Sequence, residues 1–259
     1  MWNGGWIDTL SLNNVRDLGG MPAQDGRHIR YNRLIRGGLL SGATEEDISI
    51  LRGHDVRVII DLRGDPEIAG APDPVLEGIR YIKNPLFPAR TSGITHEEEM
   101  AQTARKMSEG YNHMKDLYGR AARNDRAVFR LKQFFGYLLN QKEGAVLWHC
   151  TAGKDRTGIT AALVETALGV PRDIVMQDYL YTNDFSKKAF SETMARILIK
   201  TDDQTVVDSA REMMLAREEY LQAFVTGMIL EEGSIEQYME KRLGLDEKTK
   251  AQLQDMYLE

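Results

Sequence analysis

The stretch from Ala145 to Pro171 constrains this chain more than any other. Ala145-Val146-Leu147-Trp148 is a short apolar run that predicts a buried strand. Thr160 to Gly169 is an apolar, Ala- and Leu-containing run that predicts a buried helix, stopped by Gly169 and Pro171. Between them lies His149-Cys150-Thr151-Ala152-Gly153-Lys154-Asp155-Arg156-Thr157-Gly158. A strand, a tight polar loop and a helix start bring unpaired backbone N–H groups together, which is a ready site for an anion.

The residue types in the loop extend that reading. N–H groups from Thr151 to Arg156 can ring the oxygens of a phosphate, and Arg156 can add a planar two-pronged donor. Gly153 allows tight curvature and close approach of backbone to ligand. Cys150 stands at the base of this electropositive cradle, a setting that favours the nucleophilic thiolate. Thr157 lies where its hydroxyl can donate to the Cys150 sulfur, and His149 is expected to hold the loop by hydrogen bonds. The chemistry is a two-step phosphoryl transfer through a phosphocysteine, with the loop supplying the positive field, so neither a metal nor a cofactor is expected. A buried core cysteine is the bland alternative. A nucleotide-binding loop is excluded because Gly153-Lys154 is followed by Asp155, not by Ser or Thr. One cysteine in the chain excludes a disulfide, a redox pair and a cysteine-based metal site.

The chain has 259 residues, 42% of them hydrophobic, enough for the core of one globular domain. Its net charge of -6 gives no general attraction to nucleic acid or anionic membranes, although Arg27, Arg30 and Arg36 form local basic spots. No run is long and apolar enough to span a bilayer, and the N-terminal residues lack the pattern of a signal peptide. The expected compartment is the cytoplasm, with secretion open if a leader was removed or a non-classical route is used. The oligomeric state is open.

Along the chain, strands and helices alternate first and helices follow alone. Arg16 and Asp17 are placed to pair and tie the first segment to the body. Gln24 to Arg27 predicts a turn, followed by short strands at 28–31 and 34–36. Arg36, before Gly37-Gly38, has a loop-like backbone and a side chain that can face a pocket. Thr44 caps a helix running to Arg52. Val56 to Ile60 is the strongest strand, and it delivers Asp61 and Arg63 to its carboxyl end, where open α/β sheets keep their sites. Residues 69–74 read as a turn region and 79–83 as a further strand. Residues 86–96 read as a loop, and an amphipathic helical region follows over 97–118, with Met100, Ala104, Met107, Tyr111, Met114 and Tyr118 at helical spacing. Helices are expected at 127–139, at 171–180 with a break at Thr182-Asn183-Asp184, and at 189–199. Residues 203–230 read as one long, mostly helical stretch. A helix opened by Ser234 stops at Gly244, and the last helix covers 247–257.

His149-Cys150, five residues, then Arg156-Thr157-Gly158 resembles the signature of the cysteine-based protein tyrosine phosphatase superfamily. Asn14-Val15-Arg16-Asp17-Leu18-Gly19-Gly20, Ile60-Asp61-Leu62-Arg63 and Ala152-Gly153-Lys154-Asp155-Arg156 are similar, more narrowly, to the atypical bacterial tyrosine and phosphoinositide phosphatases. The resemblance extends over nearly the whole chain. It implies an α/β, dual-specificity-like phosphatase fold: a central mixed sheet flanked by helices, a helical C-terminal part, and a helical insertion at about 90–120 that acts as a lid. It also implies a single phosphatase domain over 1–259. The substrate is a phosphotyrosine protein or, alternatively, a phosphoinositide or inositol phosphate. A catalytically weak phosphate-binding module is the remaining reading.

The general acid has several candidates. The familiar superfamily layout points to Asp116 or Asp125, neither with Trp-Pro beside it. The atypical group's acid maps onto Asp61. Asp155 lies inside the loop itself. They stand in the order Asp61, Asp155, then Asp116 or Asp125. Arg63, Arg16, Asp17 and His149 are expected in support. Lys154, a mobile point charge, is placed to meet an additional phosphate of a lipid headgroup, and Asp155 to oppose that gain or hold Lys154 or Arg63.

Overall fold

The computed structural model describes residues 2–87 and 110–259. Five strands form one sheet: β1 (Arg16–Asp17), β2 (Leu34–Gly37), β3 (Val56–Asp61), β4 (Arg80–Lys83) and β5 (Ala145–His149). Their order across the sheet is β1-β2-β5-β3-β4. Only the β1–β2 pair is antiparallel, so β5 sits at the centre between two parallel neighbours. Parallel strands are covered on both faces, which is why β3 and β5 read as apolar runs with little alternation.

The period of two separates the two faces. Leu34, Val58, Ile60, Val146 and Trp148 enter the larger core, with α4 (Asp125–Asn140) and α5 (Asp155–Ala167). Ile35, Ile59 and Leu147 enter a second core with Ile48 and Leu51 of α1 (Glu45–Gly53) and with Ile7, Leu12 and Val15. Trp148 is fully buried, and truncating such a side chain costs about 3–5 kcal/mol. Helix α1 is closed by the reciprocal bonds of Thr44 and Asp47. The remaining helices are α2 (Asp65–Gly70), α3 (Gly110–Arg123), α6 (Arg172–Phe185), α7 (Lys187–Lys200), α8 (Gln204–Met214), α9 (Glu218–Glu232), α10 (Ile235–Lys241) and α11 (Glu247–Tyr257).

Several expectations change. Asp65–Gly70 is a short helix with no counterpart in the sequence reading, and it takes in the first two residues of the turn region expected at 69–74. Pro66 fits its first turn, and the Glu67 carboxylate accepts from the Gly64 N–H at 2.9 Å. Helix α5 begins at Asp155, earlier than the apolar run indicates, because Gly158 is a packing glycine and not a loop residue. A Cβ there would come within 2.9 Å of the Tyr179 ring. Thr182-Asn183-Asp184 does not break α6. Asn183 is held by Ala216 through two bonds of 2.8 Å, and the helix ends at Phe185. The long stretch after 203 is two helices, parted at Leu215–Arg217 where Asn183 and Lys154 take the backbone. The lid expected at 90–120, and with it Met100, Ala104 and Met107, lies outside the described residues up to 109. The rest of that range belongs to α3, where Met114 and Tyr118 are buried. No helix among the described residues is long and apolar enough to cross a membrane.

Candidate active site

Gly37 of β2 and Asp61 of β3 both stand level with His149, the last residue of β5. The chain therefore leaves the centre of the sheet between two parallel neighbours and turns at once into α5. The turn is Cys150 to Lys154, with Gly153 at φ +69°. A Cβ on Gly153 would stand 2.6 Å from the Gly37 carbonyl oxygen, so the position needs glycine for space as well as for backbone angle.

Residues far away in sequence brace this turn from below. The Asn14 side-chain amide donates to the carbonyls of Ala152 (3.2 Å) and Gly153 (3.0 Å). Arg36 donates to the Gly153 carbonyl at 3.0 Å and also bonds Asp178. Arg16 donates to Asp178 Oδ1 at 2.7 Å and to the Asp178 carbonyl at 2.9 Å. All four residues are buried. Burial works against the charge of Asp178, but Arg16 and Arg36 outweigh it and hold the carboxyl below its usual range. Burial, with Asp178 close by, pushes the neighbouring Glu165 carboxyl well above its usual range.

At the mouth of the turn, Arg156 is fixed by Glu67. Nη1 donates to Oε2 at 2.6 Å and Nη2 to Oε1 at 2.8 Å. The Thr151 hydroxyl donates to the same Oε1 at 2.8 Å. Burial disfavours the charge on Arg156, but the Cys150 sulfur and Glu67 outweigh it, and the guanidinium holds its proton more firmly than usual. Cys150 is 2% exposed at the floor. A buried sulfur, a buried guanidinium and a helix start thus stand within seven residues of chain, close enough for the sulfur to act on the charge of Arg156. That arrangement can receive a tetrahedral dianion and attack it from beneath.

A sequence profile described as the tyrosine phosphatase family matches residues 7–259. The chain belongs to this family. A Cupriavidus necator protein provisionally named a tyrosine-protein phosphatase is 30% identical over 97% of this chain and 87% of its own length. A tyrosine-protein phosphatase of Nostoc commune is 30% identical over 61% of this chain and 51% of its own length. The triple specificity protein phosphatase PtpB of Mycobacterium tuberculosis is 30% identical over 66% of this chain and 67% of its own length.

Within this tyrosine phosphatase, several side chains stand elsewhere than the sequence suggests. Arg16 and Asp17 do not pair with each other. Arg16 holds Asp178, while Asp17 accepts N–H groups from Gly19 (2.9 Å) and Asn32 (2.7 Å). Arg36 lies in β2 and not in a loop, and its side chain is fully buried against Asp178 and the Gly153 carbonyl. The Thr157 hydroxyl is directed at the Gly37 carbonyl, 3.5 Å away, and not at the Cys150 sulfur. His149 places Nδ1 3.2 Å from the Cys150 carbonyl and Nε2 2.9 Å from Asp73. The Lys154 ammonium does not look out toward a second phosphate. It is 3% exposed, donates to the carbonyls of Met213 and Leu215, and stands 3.3 Å from Asp155.

Asp61, first among the acids read from sequence, is not placed to give a proton. Its side chain is fully buried, and Arg63 reaches it at 2.7 Å through Nη2 and at 3.0 Å through Nε. The Tyr81 hydroxyl donates to it as well. Burial raises its pKa, but Arg63, His149 and Tyr81 outweigh that and keep it ionised. Asp61, Asp73 and His149 bring ligand atoms within 4.8 Å of one another, but Arg63 already bridges both carboxylates. Asp116 pairs with Arg120 on the surface, and Asp125 pairs with Arg242. Asp155 alone among the four candidates adjoins Arg156 at the cysteine turn, as the first residue of α5, with its side chain 24% exposed.

Sequence reading missed Glu67, Asn14 and Asp178 as parts of the site. Asn14 sits within a stretch that carries the family resemblance, and Glu67 at the third position of a Pro-started helix. Those were the available signals.

Proposed function

We propose that this tyrosine phosphatase hydrolyses phosphotyrosine in proteins through a phosphocysteine, as a single domain spanning residues 1–259. The observation that carries the reading is the loop itself: a sulfur at the floor, Arg156 locked by Glu67 at the rim, and Asp155 partly exposed beside it. In the first step the Cys150 sulfur forms a bond to phosphorus as the bond from phosphorus to the phenolic oxygen breaks. Asp155 gives its proton to that oxygen, and tyrosine leaves. In the second step water attacks phosphorus, the sulfur–phosphorus bond breaks, and the water's proton passes to Asp155, releasing inorganic phosphate. Arg156 and the loop N–H groups stabilise the equatorial oxygens in both steps.

The tied ammonium of Lys154 favours phosphotyrosine over an inositol headgroup, because the loop then offers no spare cation for a second phosphate. The test is a panel of phosphotyrosine peptide, phosphoserine peptide and phosphoinositide on wild type and Cys150→Ser, with acid-quenched labelling of the protein by radioactive substrate. Preferred turnover of the phosphotyrosine peptide and a label lost in Cys150→Ser are expected. Metal-dependent turnover that survives Cys150→Ser would overturn the mechanism, and phosphoinositide preference would overturn the substrate.

A further inference from the structure

Tyr118 of α3 is wholly buried, yet its hydroxyl has two polar neighbours. It donates to Asp155 Oδ1 at 2.7 Å and stands 2.8 Å from the Tyr179 hydroxyl. A phenol has one proton, so once it is given to the carboxylate, the Tyr179 proton must point at Tyr118. The chain of donation therefore runs from Tyr179 to Tyr118 to Asp155. Lys154 also meets Oδ1. With Oδ1 occupied as an acceptor, an added proton on this carboxyl belongs on Oδ2. Burial pushes the Tyr118 hydroxyl well above its usual range, so it remains a donor throughout.

The ring that carries this hydroxyl is held firmly. Tyr118 packs against Tyr179 edge-on at 6.2 Å between centroids and against Tyr220 at 5.9 Å. Helices α3 and α9 approach so closely beside it that a Cβ on Gly227 would stand 2.7 Å from the Gly119 carbonyl. Phenylalanine would serve that packing equally well. The buried hydroxyl is the extra feature, and such a group is costly unless its bonds are made.

We propose that Tyr118 is the positioning residue of the general acid, fixing through Oδ1 which oxygen of Asp155 faces the leaving group. The inference rests on Asp155 being the acid. Its test is kcat/KM over aryl phosphates whose leaving groups range from p-nitrophenol to phenol, for wild type, Tyr118→Phe, Asp155→Asn and the double variant. A displaced acid matters only where the leaving oxygen needs a proton. Tyr118→Phe is expected to lose about tenfold on phenyl phosphate and little on p-nitrophenyl phosphate, with kcat rather than KM affected. Once Asp155 is asparagine the Tyr118 hydroxyl has no acid left to position, so the double variant should have the rates of Asp155→Asn.

A loss equal across leaving groups, or one that adds to Asp155→Asn, would overturn the role of Tyr118 while leaving the acid in place. An unsteepened Asp155→Asn series would instead overturn the acid assignment. If Tyr118→Phe does not fold, Tyr179→Phe breaks the outer link and should steepen the series in the same direction by a smaller factor. A flat Tyr179→Phe series would then decide against the proposal.

Discussion

Glu67 and Arg156 meet through two parallel bonds, Nη1 to Oε2 at 2.6 Å and Nη2 to Oε1 at 2.8 Å. The carboxylate comes from a two-turn helix after β3 and the guanidinium from the first turn of α5. This pairing sets the plane of Arg156 before any substrate arrives.

Glu67→Gln keeps the shape of the side chain and removes its charge. The guanidinium then loses its fixed plane, and a small misplacement at a reacting centre costs about 10²-fold in rate. We expect kcat/KM for a phosphotyrosine peptide to fall by about that factor, with Cys150 alkylation still occurring. A variant with unchanged kcat/KM would remove Glu67 from the machinery.

Asp61→Asn tests the opposite kind of residue. Asp61 is ionised and buried against Arg63, and removing one partner of a buried pair costs about 3–5 kcal/mol. The expected result is a lower unfolding midpoint and a similar rate loss for good and poor leaving groups. Selective loss on the poor leaving group would return the acid role to Asp61.

Much of the site was legible because its core is local. Cys150, Gly153 and Arg156 fall within seven residues, and a strand before and a helix after them are visible as apolar runs. Strand β3, helix α1 with its Thr44 cap, and α11 are legible for the same reason: their signals lie within a few residues. What remained hidden is tertiary. Nothing near Lys154 tells that its ammonium will cap the carbonyls of Met213 and Leu215, and nothing near Thr182 tells that Arg16 and Asn14 will stabilise it within a helix. Asp61 misled for a related reason. A strand end is where sites gather, but its burial and its partner Tyr81 come from a neighbouring strand.

Lys154→Met should act on the fold more than on substrate choice. The ammonium ties the α8–α9 junction to the loop, so the variant should unfold at lower denaturant. It should also lose activity in equal proportion on phosphotyrosine peptide and on phosphoinositide. A selective drop on phosphoinositide would show that the ammonium leaves its carbonyls to meet that substrate.

Asp47 predicts an acid-sensitive first helix. Burial works against its charge, but the Ser11 hydroxyl, Thr44 and the Leu10 N–H outweigh it and bring the carboxyl from 3.8 to about 2. A lowered carboxyl stabilises the fold above its ordinary value, and that contribution fades as pH falls toward 2. Asp47→Asn should therefore cost about 1–2 kcal/mol at pH 7 and much less at pH 2.5, read by urea unfolding at both values. The same loss at both pH values would mean that shape rather than charge holds the cap.

The braces beneath the loop also fix when activity can exist. Asn14 reaches Gly153 across 139 positions of sequence, Arg16 reaches Asp178 across 162, and Glu67 reaches Arg156 across 89. Contacts of such separation close slowly, after local helices have formed. The cysteine loop is short, but its shape is borrowed from distant stretches of the chain on both sides of it. A chain that has its cysteine loop but not yet α6, or one that is half unfolded, therefore has the nucleophile without the catalyst. Dephosphorylation begins only when the first strand and the sixth helix have met.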